Sequence, residues 1–117
     1  MPRATNNVAA RRRKKKIMKQ AKGNFGGRSK LYRTAMETVR KGLKYAYRDR
    51  RNRKRDFRRL WITRISIACR NNGIRYSLFM DGLKKKGIVL NRKSLSNIAA
   101  KDPQTFEYLV GMVKEAV

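Results

Sequence analysis

Tyr45–Trp61 reads YAYRDRRNRKRDFRRLW, in which eight of seventeen residues are Arg or Lys and two are Asp. Its aromatics, Tyr45, Tyr47, Phe57 and Trp61, stand only at the two ends, and no apolar side chain falls between Tyr47 and Phe57. The chemistry open to such a stretch is binding of anions at high density. Coiled as a helix, it sets Arg50/Lys54, Arg51/Arg55, Lys54/Arg58 and Arg55/Arg59 at i, i+4, each like-charge pair unfavourable by roughly 0.2–0.5 kcal/mol. A charge run is ordinarily a solvated helix face. Here residues 48–56 have no apolar face to offset the repulsion, whereas phosphate on several sides removes it. Nucleic acid supplies that phosphate, one charge per nucleotide.

Bond-making chemistry has little to work with. The seven acids are Glu37, Asp49, Asp56, Asp81, Asp102, Glu107 and Glu115, and there is no histidine. No two acids pair at a spacing suited to acid–base catalysis, and the usual proton shuttle is missing. Asp102 is better explained as a helix cap, and Asp49 as an i, i+4 partner of Arg53. The glycines of GNFGG (Gly23–Gly27) lack the preceding strand and following GK[ST] of a phosphate-binding loop. Cys69 is the only cysteine, which excludes an internal disulfide and a zinc site of several Cys/His ligands. It is expected to be a small buried apolar residue. No catalytic residue, metal site or cofactor is predicted.

The whole chain agrees with this. Its 117 residues carry a formal net charge of +26, and they divide unequally. Residues 1–59 hold 23 Lys/Arg against 3 acids, a net +20, and residues 60–117 hold 10 against 4, a net +6. Such a surface repels itself until a polyanion neutralises it. No apolar run is long enough to span a bilayer, and no apolar segment follows the basic N-terminus as a secretory signal requires. The chain reads as intracellular, with no membrane partner.

The elements that must carry these charges are all predicted to be helical. Residues 2–10 read as an irregular arm. Arg11–Lys22 is helix-permissive, but its run of like charge predicts disorder when free. Gly23–Gly27 is a break, expected to act as a hinge. Beyond Ser29, a plausible N-cap, Tyr32, Ala35, Met36, Val39, Leu43, Ala46 and Tyr47 form one narrow stripe. Projected onward, that stripe passes Arg50 and Lys54 and returns to Phe57, Trp61, Ile65 and Ala68. The phase survives the charged gap, so one helix is expected from about Lys30 to Arg70, ~60 Å long at 1.5 Å per residue. Gly73, after Asn71-Asn72, is its expected stop.

Shorter helices follow. Ser77 is the expected cap of one carrying Leu78, Phe79, Met80 and Leu83 and ending at Gly87. Ile88-Val89-Leu90 is a connector, and Asn91 caps a helix with Leu95, Ile98 and Ala99 on one side. Asp102-Pro103 starts the last, with Phe106, Leu109, Val110, Val113 and Val117 as its stripe. Together with Trp61, Ile65 and Ala68 these make one small core of four helices; Phe57 is expected there too. The predicted organisation is all-α: a long basic helical N-terminal extension (residues 1–59, hinge at 23–27) leading into a small helical C-terminal globular domain (residues 60–117).

RNA fits this pattern better than DNA. Grooved-DNA readers built on basic helices need a following heptad zipper, and no zipper or self-complementary apolar surface follows Arg59, so no homo-oligomer is expected. Cations around a whole helix circumference suit a crevice between RNA segments. Tyr32, Tyr45, Tyr47 and Phe57 can stack on unpaired bases or pack within the protein. The alternative is a basic architectural DNA-binding protein.

KQAKGNFGGRSKLYRTA (Lys19–Ala35), YAYRDRRNRKRDFRRLWITRI (Tyr45–Ile65), GIRYSLFMDGLKKKGI (Gly73–Ile88) and LNRKSLSNIA (Leu90–Ala99) together resemble the bacterial-type large-subunit ribosomal protein L-twenty family, in order and without insertion. The resemblance implies a structural constituent of the large subunit that binds its rRNA directly, promotes early assembly and meets neighbouring large-subunit ribosomal proteins. It implies a cytoplasmic place in the ribosome, with an organellar ribosome the other setting. It places RNA contacts at Arg3, at Arg11, Arg12, Arg13, Lys14, Lys15, Lys16, Lys19 and Lys22, and at Arg28, Lys30 and Arg33. Along the long helix it adds Arg48, Arg50, Arg51, Arg53, Lys54, Arg55, Arg58 and Arg59, and in the globular part Lys84, Lys85, Lys86, Arg92 and Lys93. In some members the C-terminal domain also binds the protein's own messenger. Asn24 stands at a position often aromatic in the family, with Phe25 beside it.

Overall fold

A computed structural model describes residues 1–115, and among these every regular element is a helix. In chain order they are α1 (Asn7–Gln20), α2 (Gly27–Lys30), α3 (Tyr32–Asn71), α4 (Tyr76–Lys85), α5 (Arg92–Lys101) and α6 (Pro103–Lys114). The all-α class is as predicted. Val117, expected at the end of the last stripe, lies outside the described residues. The chain forms two compact units, Met1–Arg51 and one beginning at Asn52.

In the first unit the irregular arm is shorter than expected. Helix α1 starts at Asn7, because Val8-Ala9-Ala10 carries the strong propensity of alanine upstream of the cations. Ser29 does not cap the long helix. It sits inside α2, where its Oγ donates to the Gly26 carbonyl at 3.0 Å. Leu31 takes the extended conformation at the junction, and its carbonyl accepts from Ala35 N at 2.8 Å, so α3 begins at Tyr32. Ala21 and Ala35 are buried, while Tyr32, Met36 and Val39 are half-buried. Further along the stripe Leu43 is 61% exposed, so the apolar phase continues after its cover has ended.

Helix α3 runs without a break across its charged middle, as its phase predicted. It stops where expected. Gly73 has φ +68, its N–H donates to Arg70 O at 3.0 Å, and Ile74 N donates to Cys69 O at 3.0 Å, the paired bonds of a Schellman end.

The core of the second unit gathers Ile65 and Cys69 of α3, Phe79 and Leu83 of α4, Leu95 of α5, and Phe106, Leu109, Val110 and Val113 of α6. Phe79 and Phe106 pack with ring centroids 5.1 Å apart. Asn91 and Asp102 cap α5 and α6 as read, accepting from Ser94 N (2.8 Å) and Thr105 N (3.1 Å), with Pro103 in the first turn. Ser77 is not a cap: α4 starts one residue before it, and Arg75 at the N-cap offers no side-chain acceptor. Two core assignments also change. Phe57 is 50% exposed and Trp61 only half-buried, stacked on each other at 6.3 Å, and neither joins the core cluster. Each has the predicted phase, but α4–α6 supply no apolar cover at their level.

Candidate nucleic-acid interface

Around the helix axis at 100° per residue, the cations of Arg48–Arg59 sweep an arc of about 240°. The remaining sector holds Asp49, Asn52 and Asp56. The sequence predicts a circumference basic all round; instead a polar, acidic seam interrupts it. Both acids are satisfied along the helix itself. Asp49 accepts from Arg48 Nε at 2.9 Å, not from Arg53, and Asp56 lies 3.7 Å from Arg59 Nη1. Such exposed pairs contribute about 0–1 kcal/mol. Among the described residues Arg50, Arg51, Arg53, Lys54, Arg55 and Arg58 have no acidic partner, and all are exposed.

The tyrosines at the near end of this stretch are neither buried nor bare. The Arg48 guanidinium lies 4.7 Å and Lys41 Nζ 5.8 Å from the Tyr45 ring centroid. The Arg51 guanidinium lies 4.0 Å from that of Tyr47. Exposed cation–π contacts contribute about 0.5–1 kcal/mol. The rings hold long cationic side chains in place along the helix.

Elsewhere in the first unit, Arg11, Arg12, Arg13, Lys14, Lys15, Lys16 and Lys19 lie on α1 and are exposed. Lys14 Nζ stands 5.5 Å from the Tyr32 ring centroid, which brings α1 against the start of α3. Lys22 follows α1, Arg28 and Lys30 are on α2, Arg33 is in the first turn of α3, and Arg3 precedes α1; all five are exposed. Of these, Arg28 lines a groove together with Glu37, Thr38, Lys41 and Tyr45.

In the second unit Lys84 and Lys85 close α4 and Lys86 caps it, a placement that also suits the negative end of the helix dipole. Lys85 pairs with Asp81 at 3.0 Å. Lys93 is exposed, whereas Arg92 is half-buried and its Nε donates to the Tyr76 hydroxyl at 2.9 Å, tying α5 to the first turn of α4. A groove between α3 and α5 was not foreseen. It is lined by Arg64, Ile67, Asn71, Asn97 and Lys101, two cations and two amides over an apolar floor. Half of it was legible as Arg64, Ile67 and Asn71 at i, i+3 and i+7; the α5 half needed the packing. No group of three metal-ligating side chains, and no helix long and apolar enough to cross a membrane, occurs among the described residues.

Residues 3–109 match the family model described as Ribosomal protein L20. The chain belongs to the ribosomal protein L20 family. That match takes in every basic residue named above, from Arg3 to Lys101. The chain is 56% identical over 117 residues to the "Large ribosomal subunit protein bL20" of Acetivibrio thermocellus, covering all of both chains. It is 55% identical over 115 residues to the protein of the same name from Carboxydothermus hydrogenoformans, covering 98% of each. It is 57% identical over 114 residues to that of Pelotomaculum thermopropionicum, covering 97% of each. Members of the L20 family are structural, non-enzymatic ribosomal proteins, which accords with acids that serve as caps and helix-surface partners.

Proposed function

We propose that this L20-family protein is a cytoplasmic constituent of the large ribosomal subunit that binds large-subunit rRNA directly and promotes early subunit assembly. The observation that carries this reading is the charged middle of α3. Six exposed cations without acidic partners sit on a continuous helix whose repulsion only a surrounding polyanion relieves. Phosphate neutralisation at these positions, and along α1 and α2, orders a self-repelling segment at the moment of binding. Early association follows from this, because RNA segments drawn to one cationic helix are drawn to each other.

The smaller charge of the second unit suits recognition more than bulk neutralisation. Its groove of Arg64, Asn71, Asn97 and Lys101 offers cations for phosphate and amides for base edges. The same surface is the one we assign to the protein's own messenger, through which it would limit its synthesis. Exposed Leu60 and Leu78 offer contacts to neighbouring large-subunit proteins.

The test is equilibrium binding of the full chain to protein-free large-subunit rRNA across a salt series. Each phosphate contact should add a slope of about 0.7–0.9 to log K against log salt. NMR of the RNA-free protein should show a mobile first half that rRNA orders. Displacement of the rRNA by duplex DNA, or absence of the protein from large subunits isolated at physiological salt, would overturn the reading.

A further inference from the structure

The guanidinium of Arg92 is held by an uncharged partner. Arg92 is the first residue of α5, half-buried, and its Nε donates to the hydroxyl of Tyr76, the first residue of α4, at 2.9 Å. The Tyr76 ring is itself fixed, half-buried against the core cluster. An arginine carries five N–H donors. This bond uses the one on Nε, and the four on Nη1 and Nη2 meet no acceptor among the described residues.

A tie between two helices does not by itself call for these residue types. A carboxylate opposite Arg92 would make the stronger bond, but it would also offset the charge, as Asp49 and Asp56 do in part for Arg48 and Arg59. A phenol fixes the direction of the guanidinium and leaves its positive charge uncompensated. The position is also adverse for the protein alone. Arg92 and the exposed Lys93 occupy the first turn of α5, at the positive end of the helix dipole, with no acidic residue in that turn. Orientation without neutralisation, at a place that repels cations, serves a bound anion.

We infer that Tyr76 is a positioning residue for RNA: it aims Arg92 so that the Nη1/Nη2 end of the guanidinium meets a phosphate of the bound strand. This rests on the RNA-binding reading above and adds to it a residue with no charge of its own. With Nε engaged, the grip on the phosphate is end-on, through the two amino groups, and not side-on through Nε. Arg92 enters the complex already ordered, whereas a free arginine gives up its rotamer freedom on binding.

The experiment compares the full-length wild type with Y76F, R92Q and the double variant Y76F/R92Q for binding to protein-free large-subunit rRNA over a salt series. Y76F should weaken binding about 2- to 13-fold, the equivalent of roughly 0.5–1.5 kcal/mol for ordering one long side chain at an interface. Its salt slope should match the wild type, because the charge of Arg92 remains. R92Q should lower the slope by about 0.7–0.9. The double variant should bind as R92Q does, since Tyr76 acts only through Arg92. An equal loss from Y76F in both backgrounds would mark a purely structural tie and overturn the inference. So would wild-type affinity in Y76F or an unchanged slope in R92Q, and either would leave RNA binding by the other cations intact. A wild type without salt-sensitive rRNA binding would overturn both readings. In the RNA-free protein, NMR should find the Arg92 Nε–H rigid in the wild type and mobile in Y76F, with unchanged helix content by circular dichroism. A mobile Nε–H in the wild type would overturn the positioning.

Discussion

The Cβ that Gly82 lacks would stand inside the van der Waals envelope of the Val113 side chain. Gly82 on α4 and Val113 on α6 are both buried, and this approach lets the two helices close over the core. The alanine variant G82A should therefore cost about 1–3 kcal/mol, the usual penalty of overpacking. Urea unfolding followed by circular dichroism should show a lower midpoint. The double variant G82A/V113A should recover part of the loss relative to the sum of the singles, because the two side chains compete for one space.

Cys69 is fully buried in the same core, and burial pushes its thiol from an ordinary 9.0 up to about 11. The thiolate is absent near neutrality, so thiol reagents should modify Cys69 only as fast as the domain opens. The folded pKa is the higher one. Its stabilisation is thus fully present below pH 9 and is lost as pH rises toward 11. C69A should show a shallower alkaline decline in stability over that window than the wild type.

At the start of α6 the Thr105 hydroxyl, and then the Thr105 N–H, hold the Asp102 carboxyl below its ordinary 3.8. A depressed folded pKa gives stability that is present above pH 3.8 and lost as pH falls through the folded value. The thermal midpoint of the wild type should drop on that acid limb. D102N keeps a capping acceptor and should flatten the limb with little loss at neutral pH, whereas D102A should lower the midpoint at both.

Among the α3 cations, those without an acidic neighbour should matter most to RNA. R53Q, K54Q and R55Q should each reduce the salt slope of rRNA binding by about 0.7–0.9. R48Q and R59Q should reduce it less, since each of these arginines already shares its charge with Asp49 or Asp56. Equal slopes for the two groups would show that the intrahelical pairs open on binding.

Ser96 is fully buried on α5, and its Oγ has no hydrogen-bond partner among the described residues. An unmet buried hydroxyl costs about 1–3 kcal/mol. S96A should therefore raise the unfolding midpoint or leave it unchanged, and a clear fall would contradict the environment described for it.

The helix ends divide the legible from the illegible. Gly73, Asn91 and Asp102-Pro103 act through bonds to backbone groups within a turn of themselves, so their residue types suffice. Ser29 and Ser77 misled because a serine is tolerated inside the first turn of a helix as well as at its cap, and Ser29 there meets the Gly26 carbonyl. The α3 phase was readable across the charged gap, and it correctly carried one helix from stripe to stripe. It could not say how far the cover on that stripe reaches, which is why Leu43, Phe57 and Trp61 stand more open than their spacing suggests.

For the candidate site, the sequence by itself determined the amount of positive charge, its crowding at i, i+4 and the all-helical class, because each depends on residue type and near-neighbour spacing. Only the tertiary structure decided which side chains spend themselves inside the protein. Arg92 is partly taken up by Tyr76, Gly82 makes room for Val113, and Arg64 and Asn71 meet Asn97 and Lys101 across a groove. These are contacts between helices distant in the chain, and no local pattern encodes how two faces come together until the core between them has packed.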